Sequence, residues 1–182
     1  MSKSGKSRLL EVEAKIPYGC LMITFALPKW EWFVDKFIDP ADYEPQLWMD
    51  DKATYDQMHI TVLYGLDSKI TLDEVKPLLI PIEDINVDFK AINHFENASY
   101  GGKNSFDLIK FEVESEQLRA LNKVLTTLPH KEFYSYYQPH ATIAYLKTGE
   151  GAKYDRTIRP FTLKPDGYLF TSANGSTTAF IV

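Results

Sequence analysis

The sequence is poor in cysteine and has no long apolar run. Its one cysteine, Cys20, cannot form an internal disulfide and is interpreted as a small buried residue rather than a nucleophile. Three cations near the N-terminus, Lys3, Lys6 and Arg8, are not followed by an apolar stretch long enough for a signal sequence or a membrane span. These absences predict a protein of the reducing cytoplasm that does not bind a membrane.

Positive charge is scarce as well. The chain has 20 Lys and Arg against 25 Asp and Glu, which gives a formal net charge of -5 at pH 7. Binding of long nucleic acids depends mainly on many Lys and Arg neutralising backbone phosphates, so this balance disfavours such a partner. A small ligand with few phosphates remains allowed.

Apolar and aromatic residues, in contrast, are plentiful. Hydrophobic residues make up 45% and aromatic residues 14% of the 182 residues, which is enough to bury a substantial core. Residues 1–182 are therefore predicted to form a single domain of two lobes, with residues 1–15 as a flexible tail.

The pattern of apolar residues predicts an α+β fold. Residues 39–57 and 147–160 are polar and are interpreted as loops, and residues 85–95 and 105–113 as the strands of a hairpin. The remaining predicted strands are 19–27, 58–64, 141–146, 161–163, 168–171 and 177–182. The predicted helices are 30–37, 71–79, which starts at a capping box of Thr71 and Glu74, and 115–128, which Ser115 caps. The order strand, helix, strand occurs in both halves, which indicates two similar lobes.

Two short motifs with the pattern His-x-Thr fall on predicted strands in different halves: His59-Ile60-Thr61 and His140-Ala141-Thr142. Residues i and i+2 of a strand point to the same face, so each strand presents an imidazole beside a hydroxyl. Strict alternation places Ala141, Ile143 and Tyr145 on the face opposite His140.

These side chains meet the requirements of phosphodiester cleavage. The reaction needs a base for the attacking oxygen, an acid for the leaving oxygen and donors for the non-bridging oxygens. Histidine serves as either acid or base because its unperturbed pKa is about 6.5. We therefore predict that His59, Thr61, His140 and Thr142 are catalytic, with no cofactor and no metal.

A single His-x-Thr occurs too often by chance to indicate function, but two copies on strands favour it. In each copy an aliphatic pair and a tyrosine follow the threonine. His94 and His130 lack a hydroxyl at i+2 and are left out of the catalytic set. Each has a glutamate there, but two separate pairs do not supply the three or four ligands that zinc requires.

The two motifs resemble those of the 2H phosphoesterase superfamily. The runs 58–66 (MHITVLYGL) and 139–145 (PHATIAY) are most similar to the bacteriophage anti-CBASS phosphodiesterases. This resemblance implies a bilobal fold in which two pseudo-symmetric antiparallel sheets form a central groove with helices outside. It also implies a metal-independent hydrolase of cyclic di- and trinucleotide immune signals, acting in the host bacterial cytoplasm during immune evasion.

A nucleotide site also needs aromatic surfaces for bases and cations for phosphates. The predicted substrate-binding residues are Tyr18, Tyr145, Lys147 and Glu150, and segment 147–159 is either a lid over the ligand or a surface loop. Weaker candidates share aromatic or cationic character: Trp48, Phe95, Tyr100, Phe133, Tyr134, Tyr136, Tyr137, Lys153, Arg156 and Arg159.

Other functions remain open at this stage. One is an RNA-processing 2H enzyme that acts on 2′,3′-cyclic phosphates or 2′-5′ linkages. Another is a module that binds cyclic nucleotides without cleaving them, although such a module would not need two titrating histidines. The sequence leaves the oligomeric state, the base preference and the acid and base roles of the two histidines open.

Overall fold

The α+β class is confirmed by the computed structural model, which describes residues 18–44, 57–100, 103–133 and 135–182. The predicted tail, Trp48 and Tyr134 lie outside the described residues, as does the side chain of Tyr100. The strands are β1 Gly19–Phe25, β2 Met58–Leu66, β3 Val87–Tyr100, β4 Lys103–Glu114, β5 His140–Lys147, β6 Arg156–Leu163, β7 Gly167–Thr171 and β8 Thr177–Phe180, and the α-helices are α1 Trp30–Phe37, α2 Leu72–Val75 and α3 Glu116–Leu125.

The eight strands form one antiparallel sheet in the order β6-β3-β4-β5-β2-β1-β7-β8. The family resemblance implied two pseudo-symmetric sheets, but β2 and β5 join the two sets of four strands into one. The register between these two strands consists of one pair, Ile60 with Ala141, and both residues are fully buried. The two strands that carry the His-x-Thr motifs are thus neighbours at the centre of the sheet.

Each motif strand pairs with the strand that precedes it in the chain. A helix connects the two strands in each case: α1 lies between β1 and β2, and α3 lies between β4 and β5. α3 begins after Ser115, whose Oγ accepts a hydrogen bond from Leu118 N at 3.3 Å, as expected for an N-cap. Leu121 and Leu125 are buried with Leu118, so one face of this helix covers the sheet.

Several element boundaries differ from the sequence prediction, and two of them are the helix over 71–79 and the loop over 147–160. The helix predicted over 71–79 begins with the predicted capping box of Thr71 and Glu74 but becomes a 3-10 turn at Lys76. Pro77 explains the change, because it has no N–H for an α-helical hydrogen bond. The predicted loop 147–160 also ends early, since β6 begins at Arg156 and pairs with β3.

No helix among the described residues is long and apolar enough to cross a membrane.

Candidate active site

The two motifs expose their polar residues on the same face of the sheet. His59 and Thr61 on β2, and His140 and Thr142 on β5, are half-buried. The residues between and beside them are buried on the other face: Met58, Ile60, Val62, Ala141 and Ile143. We call the face that carries the four polar residues the motif face. The predicted alternation within both motifs is confirmed.

The sheet register brings the two motifs together. Ile60 pairs with Ala141 in antiparallel orientation, so the residues flanking this pair also lie opposite one another. His59 is therefore next to Thr142, and Thr61 is next to His140. The two histidines are diagonal neighbours, which in such an arrangement are roughly 7–8 Å apart and somewhat closer at their Cβ atoms. This separation lets both imidazoles reach one phosphate group.

A backbone carbonyl orients each imidazole. The Nδ1 atom of His140 donates to Gln138 O at 2.9 Å, and that of His59 lies 3.4 Å from Gln57 O. A carbonyl oxygen can only accept, so Nδ1 carries the proton in both rings. In the neutral ring the lone pair is then on Nε2, so a proton exchanged with a substrate would pass through that atom. Both carbonyls belong to a glutamine two residues before the histidine, so the longer repeated pattern Gln-x-His-x-Thr could have indicated this contact from the sequence.

The environment of His140 disfavours its charged form. Burial is the main cause of a pKa below the ordinary histidine value, and the positive charges of Lys110 and His59 lower it further. The hydrogen bond to Gln138 O raises the pKa and only partly offsets these effects. His140 is therefore neutral at neutral pH, as a general base must be.

Each motif strand has a β-bulge one residue after its threonine. The extra residue is Val62 in β2 and Ile143 in β5. An extra residue reverses the alternation of side chains beyond it. Tyr64 and Tyr145, three residues after the threonines, consequently lie on the motif face and are half-buried. The prediction from strict alternation that Tyr145 lies on the opposite face is wrong, because the bulge at Ile143 reverses the alternation.

An aromatic cluster lies at the far end of β2 from His59. The Tyr18 ring is 5.3 Å from Phe133 and 6.4 Å from Tyr64, and Phe133 is 5.1 Å from Tyr64. The Lys131 ammonium lies 5.0 Å from the Phe133 centroid and 5.6 Å from that of Tyr18. Phe133 remains 42% exposed, so the cluster offers an aromatic surface beside a cation.

Gly65 allows the chain to form this cluster. Its φ is +103°, and a Cβ there would lie 2.3 Å from Lys131 O and 3.1 Å from the Phe133 ring. The backbone of Lys131 also donates to Gly65 O at 2.8 Å. Only glycine permits this close approach of the two segments.

Other aromatic candidates have structural contacts. Phe95 packs against His140, with ring centroids 5.3 Å apart and nearly perpendicular planes. Tyr137 donates its hydroxyl to Thr61 O at 3.0 Å and therefore supports β2 from the side. Tyr136 is 72% exposed. Phe95 and Tyr137 each contact a catalytic candidate, Phe95 through the ring of His140 and Tyr137 through the backbone of Thr61.

Segment 147–155 is fixed to the face opposite the motif face. Asp107, which pairs with the buried Leu146, accepts hydrogen bonds at Oδ2 from Gly149 N (3.0 Å) and Gly151 N (2.8 Å). The His94 Nδ1 atom lies 2.8 Å from Asp155 Oδ1. These contacts favour a fixed surface segment over a lid.

The polar candidates of this segment are engaged with the protein. Lys147 donates to Ala41 O at 2.7 Å, and Lys153 lies 2.7 Å from the carboxylates of both Glu150 and Asp42. These contacts therefore hold the side chains of Lys147, Glu150 and Lys153 against other parts of the protein.

The two arginine candidates, Arg156 and Arg159, lie on the edge strand β6. The Arg156 guanidinium is 4.8 Å from the Phe37 centroid. β3 and β4 separate β6 from the second motif strand, so the arginines also lie away from the histidines.

Replacing Asp107 with alanine is expected to release segment 147–155. The N–H groups of Gly149 and of the buried Gly151 would lose a charged acceptor, at a cost of about 2–3 kcal/mol in the free energy of unfolding. Urea unfolding measures the loss, and faster hydrogen exchange at Gly149 and Gly151 locates it. Asp84→Ala, at an exposed turn, is the matched control. Equal unfolding free energies for the two variants would contradict this anchoring role.

Cys20 lies on β1 beside the first motif. Burial raises the pKa of its thiol to about 12, and a hydrogen bond with the Thr61 side chain lowers it only in part. The thiol is thus protonated at neutral pH and is a poor nucleophile, consistent with its interpretation from the sequence. Among the described residues, no group of three or more His, Cys, Asp and Glu is arranged to hold a metal ion. Metal independence itself stays a prediction.

Comparison with known proteins identifies the fold. No family model and no curated protein matches the chain. Kluyveromyces marxianus Usb1 is similar in structure, with a TM-score of 0.51 and 8% identity over 92% of this chain and 99% of that one. The structure of the same Usb1 with uridine monophosphate has a TM-score of 0.49 and 9% identity, and the match covers 92% of this chain and 100% of that one. For TT0787 of Thermus thermophilus the TM-score is 0.46 and the identity 14%, over 88% of this chain and 94% of that one. The likeness to Usb1 supports a 2H-like fold.

Proposed function

We propose that the protein is a metal-independent phosphodiesterase that uses the two His-x-Thr motifs as one catalytic centre. The observation that carries the proposal is the single β2–β5 pair, which places two imidazoles and two hydroxyls side by side on one face. The two histidines supply an acid and a base, and the two threonines supply donors for the phosphate oxygens. The 2H-like fold supports this general function.

The finer proposal is that the substrate is a cyclic di- or trinucleotide. Tyr64 and Tyr145 lie three residues beyond the threonines on antiparallel strands, so they flank the catalytic centre in opposite directions, each roughly 10 Å away. A compact ligand with a base on each side of its phosphates fits this arrangement. Base stacking on aromatic rings contributes about 1–3 kcal/mol per base.

This substrate would make the protein a phage counter-defence enzyme against CBASS, as the resemblance of its motifs implies. The two halves of the sheet then act as two pseudo-symmetric lobes, each with one His-x-Thr motif and one aromatic residue. The net charge of -5 agrees with a ligand that has few phosphates.

An RNA-processing 2H enzyme is the second candidate, supported by the fold shared with Usb1. Its substrate would be a terminal 2′,3′-cyclic phosphate or a 2′-5′ linkage. The same catalytic centre serves this reaction, because it also requires an acid, a base and donors around one phosphorus.

The test is to incubate the purified protein with cyclic dinucleotides, a cyclic trinucleotide and an RNA ending in a 2′,3′-cyclic phosphate, all with excess EDTA. Chromatography separates the products, and the His59→Ala/His140→Ala double variant is the control. We expect linear products from the cyclic oligonucleotides with the wild type only. Opening of the RNA end alone would favour the second candidate, and binding without cleavage would reduce the protein to a nucleotide-binding module.

A further inference from the structure

A buried lysine lies beside the second motif. Lys110 is 2% exposed and sits opposite Thr142 on β4, so it belongs to the motif face. Its Nζ donates to Asn93 Oδ1 and lies 4.3 Å from the centroid of the Phe95 ring. The same Phe95 ring contacts His140. A buried ammonium thus lies close to one of the two histidines.

The equivalent position beside the first motif has no charge. Met22 of β1 lies opposite Thr61, and in both halves the β-bulge follows immediately after the threonine. Lys110 and Met22 therefore occupy matching positions in two locally similar arrangements. The difference between them makes the surroundings of the two histidines electrostatically unequal.

Other polar groups strengthen the difference. Thr24, opposite His59, donates to Asp166 Oδ1 at 2.7 Å, and Gln57 donates to the other carboxylate oxygen of Asp166 at 3.3 Å. The carboxylate of Asp166 is thus hydrogen-bonded to two neighbours of His59, Thr24 across the sheet and Gln57 two positions earlier.

One carboxylate also faces the second motif. Glu112 lies opposite His140 and accepts a hydrogen bond from Asn93 Nδ2 at 2.8 Å. Asn93 thereby connects Glu112 to Lys110, and Asp155 acts on Lys110 from farther away. Despite Glu112, the balance at His140 favours the neutral ring, with burial first and then the charges of Lys110 and His59 as the causes of its low pKa.

We propose that Lys110 is a positioning residue that keeps His140 neutral, so that His140 is the base and His59 the acid of the first catalytic step. This inference rests on the proposed phosphodiesterase function. The attacking hydroxyl gives its proton to His140 Nε2 and forms a new bond to phosphorus. The bond from phosphorus to the leaving oxygen breaks, and that oxygen takes a proton from His59 Nε2. The proton roles reverse if a cyclic phosphate is opened in a second step.

Removing the charge of Lys110 is expected to change the pH dependence of kcat/KM. Without the nearby ammonium, the pKa of His140 rises because its protonated form is no longer repelled. A base with a higher pKa loses its active form at higher pH, so the acidic limb of the pH profile of kcat/KM moves upward. If His140 were the acid, the alkaline limb of the pH profile of kcat/KM would move instead.

The experiment compares wild type, Lys110→Met and Lys110→Gln. Methionine reproduces the residue of the first half, and glutamine keeps a donor for Asn93 without the charge. Both variants are expected to lose kcat/KM several-fold below pH 6.5 and to approach the wild-type value near pH 8. Lys110→Arg should restore the wild-type profile, and Lys123→Met, at an exposed site on α3, should not change it.

Titration of His140 by NMR gives a readout that does not require turnover. An upward shift of its pKa in both neutral variants supports the proposal. An unchanged pKa, or a drop in rate equal at every pH, would overturn it and leave Lys110 a structural residue. A wild-type protein that cleaves no phosphodiester would instead contradict the proposed function, while the titration would still report on Lys110.

Discussion

Alanine at His59 or at His140 is expected to lower the turnover of a phosphodiester substrate by about 10²- to 10⁴-fold. Each variant removes one of the two groups that exchange protons with the reacting oxygens. The remaining histidine cannot act as acid and base in the same step, because it holds either a proton or a lone pair on Nε2. The measurement is the steady-state kcat of each variant on the same substrate as the wild type.

The loss should be catalytic rather than structural. Both imidazoles are half-buried on the surface of the sheet, so their removal opens no cavity in the core. Far-UV circular dichroism and the thermal midpoint are expected to stay close to the wild-type values. His130→Ala is the matched control, since His130 is also half-buried and its Nδ1 also lies near a carbonyl two residues earlier, at 2.8 Å from Leu128 O. A similar kcat loss in this control would show that the effect is not specific to the motifs.

Valine at Thr61 or Thr142 is expected to lower kcat by about 10²- to 10³-fold. The substitution removes one hydroxyl and keeps the β-branched shape that suits a strand. The lost donor would have stabilised negative charge on a non-bridging phosphate oxygen as it develops in the transition state. KM should change much less than kcat, because the charge in the ground state is smaller.

Serine supplies the control for this prediction. Thr61→Ser and Thr142→Ser keep the hydroxyl and lose only a methyl group, so kcat should stay within a few-fold of wild type. If valine and serine lower kcat equally, the hydroxyls do not stabilise the transition state and the threonines serve packing alone. Thr61 also bonds the Cys20 thiol, so its variants should be checked for thermal stability first.

Much of the fold could be predicted because it follows from local patterns. Strand alternation predicted which face of β2 and β5 carries the histidines, and the N-cap at Ser115 and the capping box at Thr71 predicted two helix starts. These features depend on residues within a few positions of each other. The central sheet pair joins Ile60 to Ala141, 81 positions apart, and no local pattern encodes it.

The positions that sequence reasoning missed depend on irregular or tertiary structure. The bulge at Ile143 brings Tyr145 to the motif face. Isoleucine is common in regular strands, so the residue type at position 143 does not indicate a bulge. Lys110 lies in an alternating polar and apolar strand, where a lysine is usually solvated. Here it is buried, and its Nζ contacts Phe95 and Asn93 of the neighbouring β3.

Segment 147–155 illustrates the same limit. Its glycines and cations are typical of a mobile phosphate-binding loop. The contact that fixes it is the carboxylate of Asp107, which lies more than 40 positions earlier and points to the other face of the sheet. The composition of segment 147–155 indicates that it could bind phosphate. The position of Asp107 on β4 determines which face of the sheet the segment contacts.

The central claim is that the paired His-x-Thr motifs cleave a phosphodiester without a metal ion. The most direct measurement is the initial rate of substrate cleavage by the wild type and by the His59→Ala/His140→Ala double variant, each with and without excess EDTA. We predict equal wild-type rates with and without the chelator, and no cleavage above background by the double variant. Loss of the wild-type rate in EDTA, or substantial cleavage by the double variant, would contradict the account.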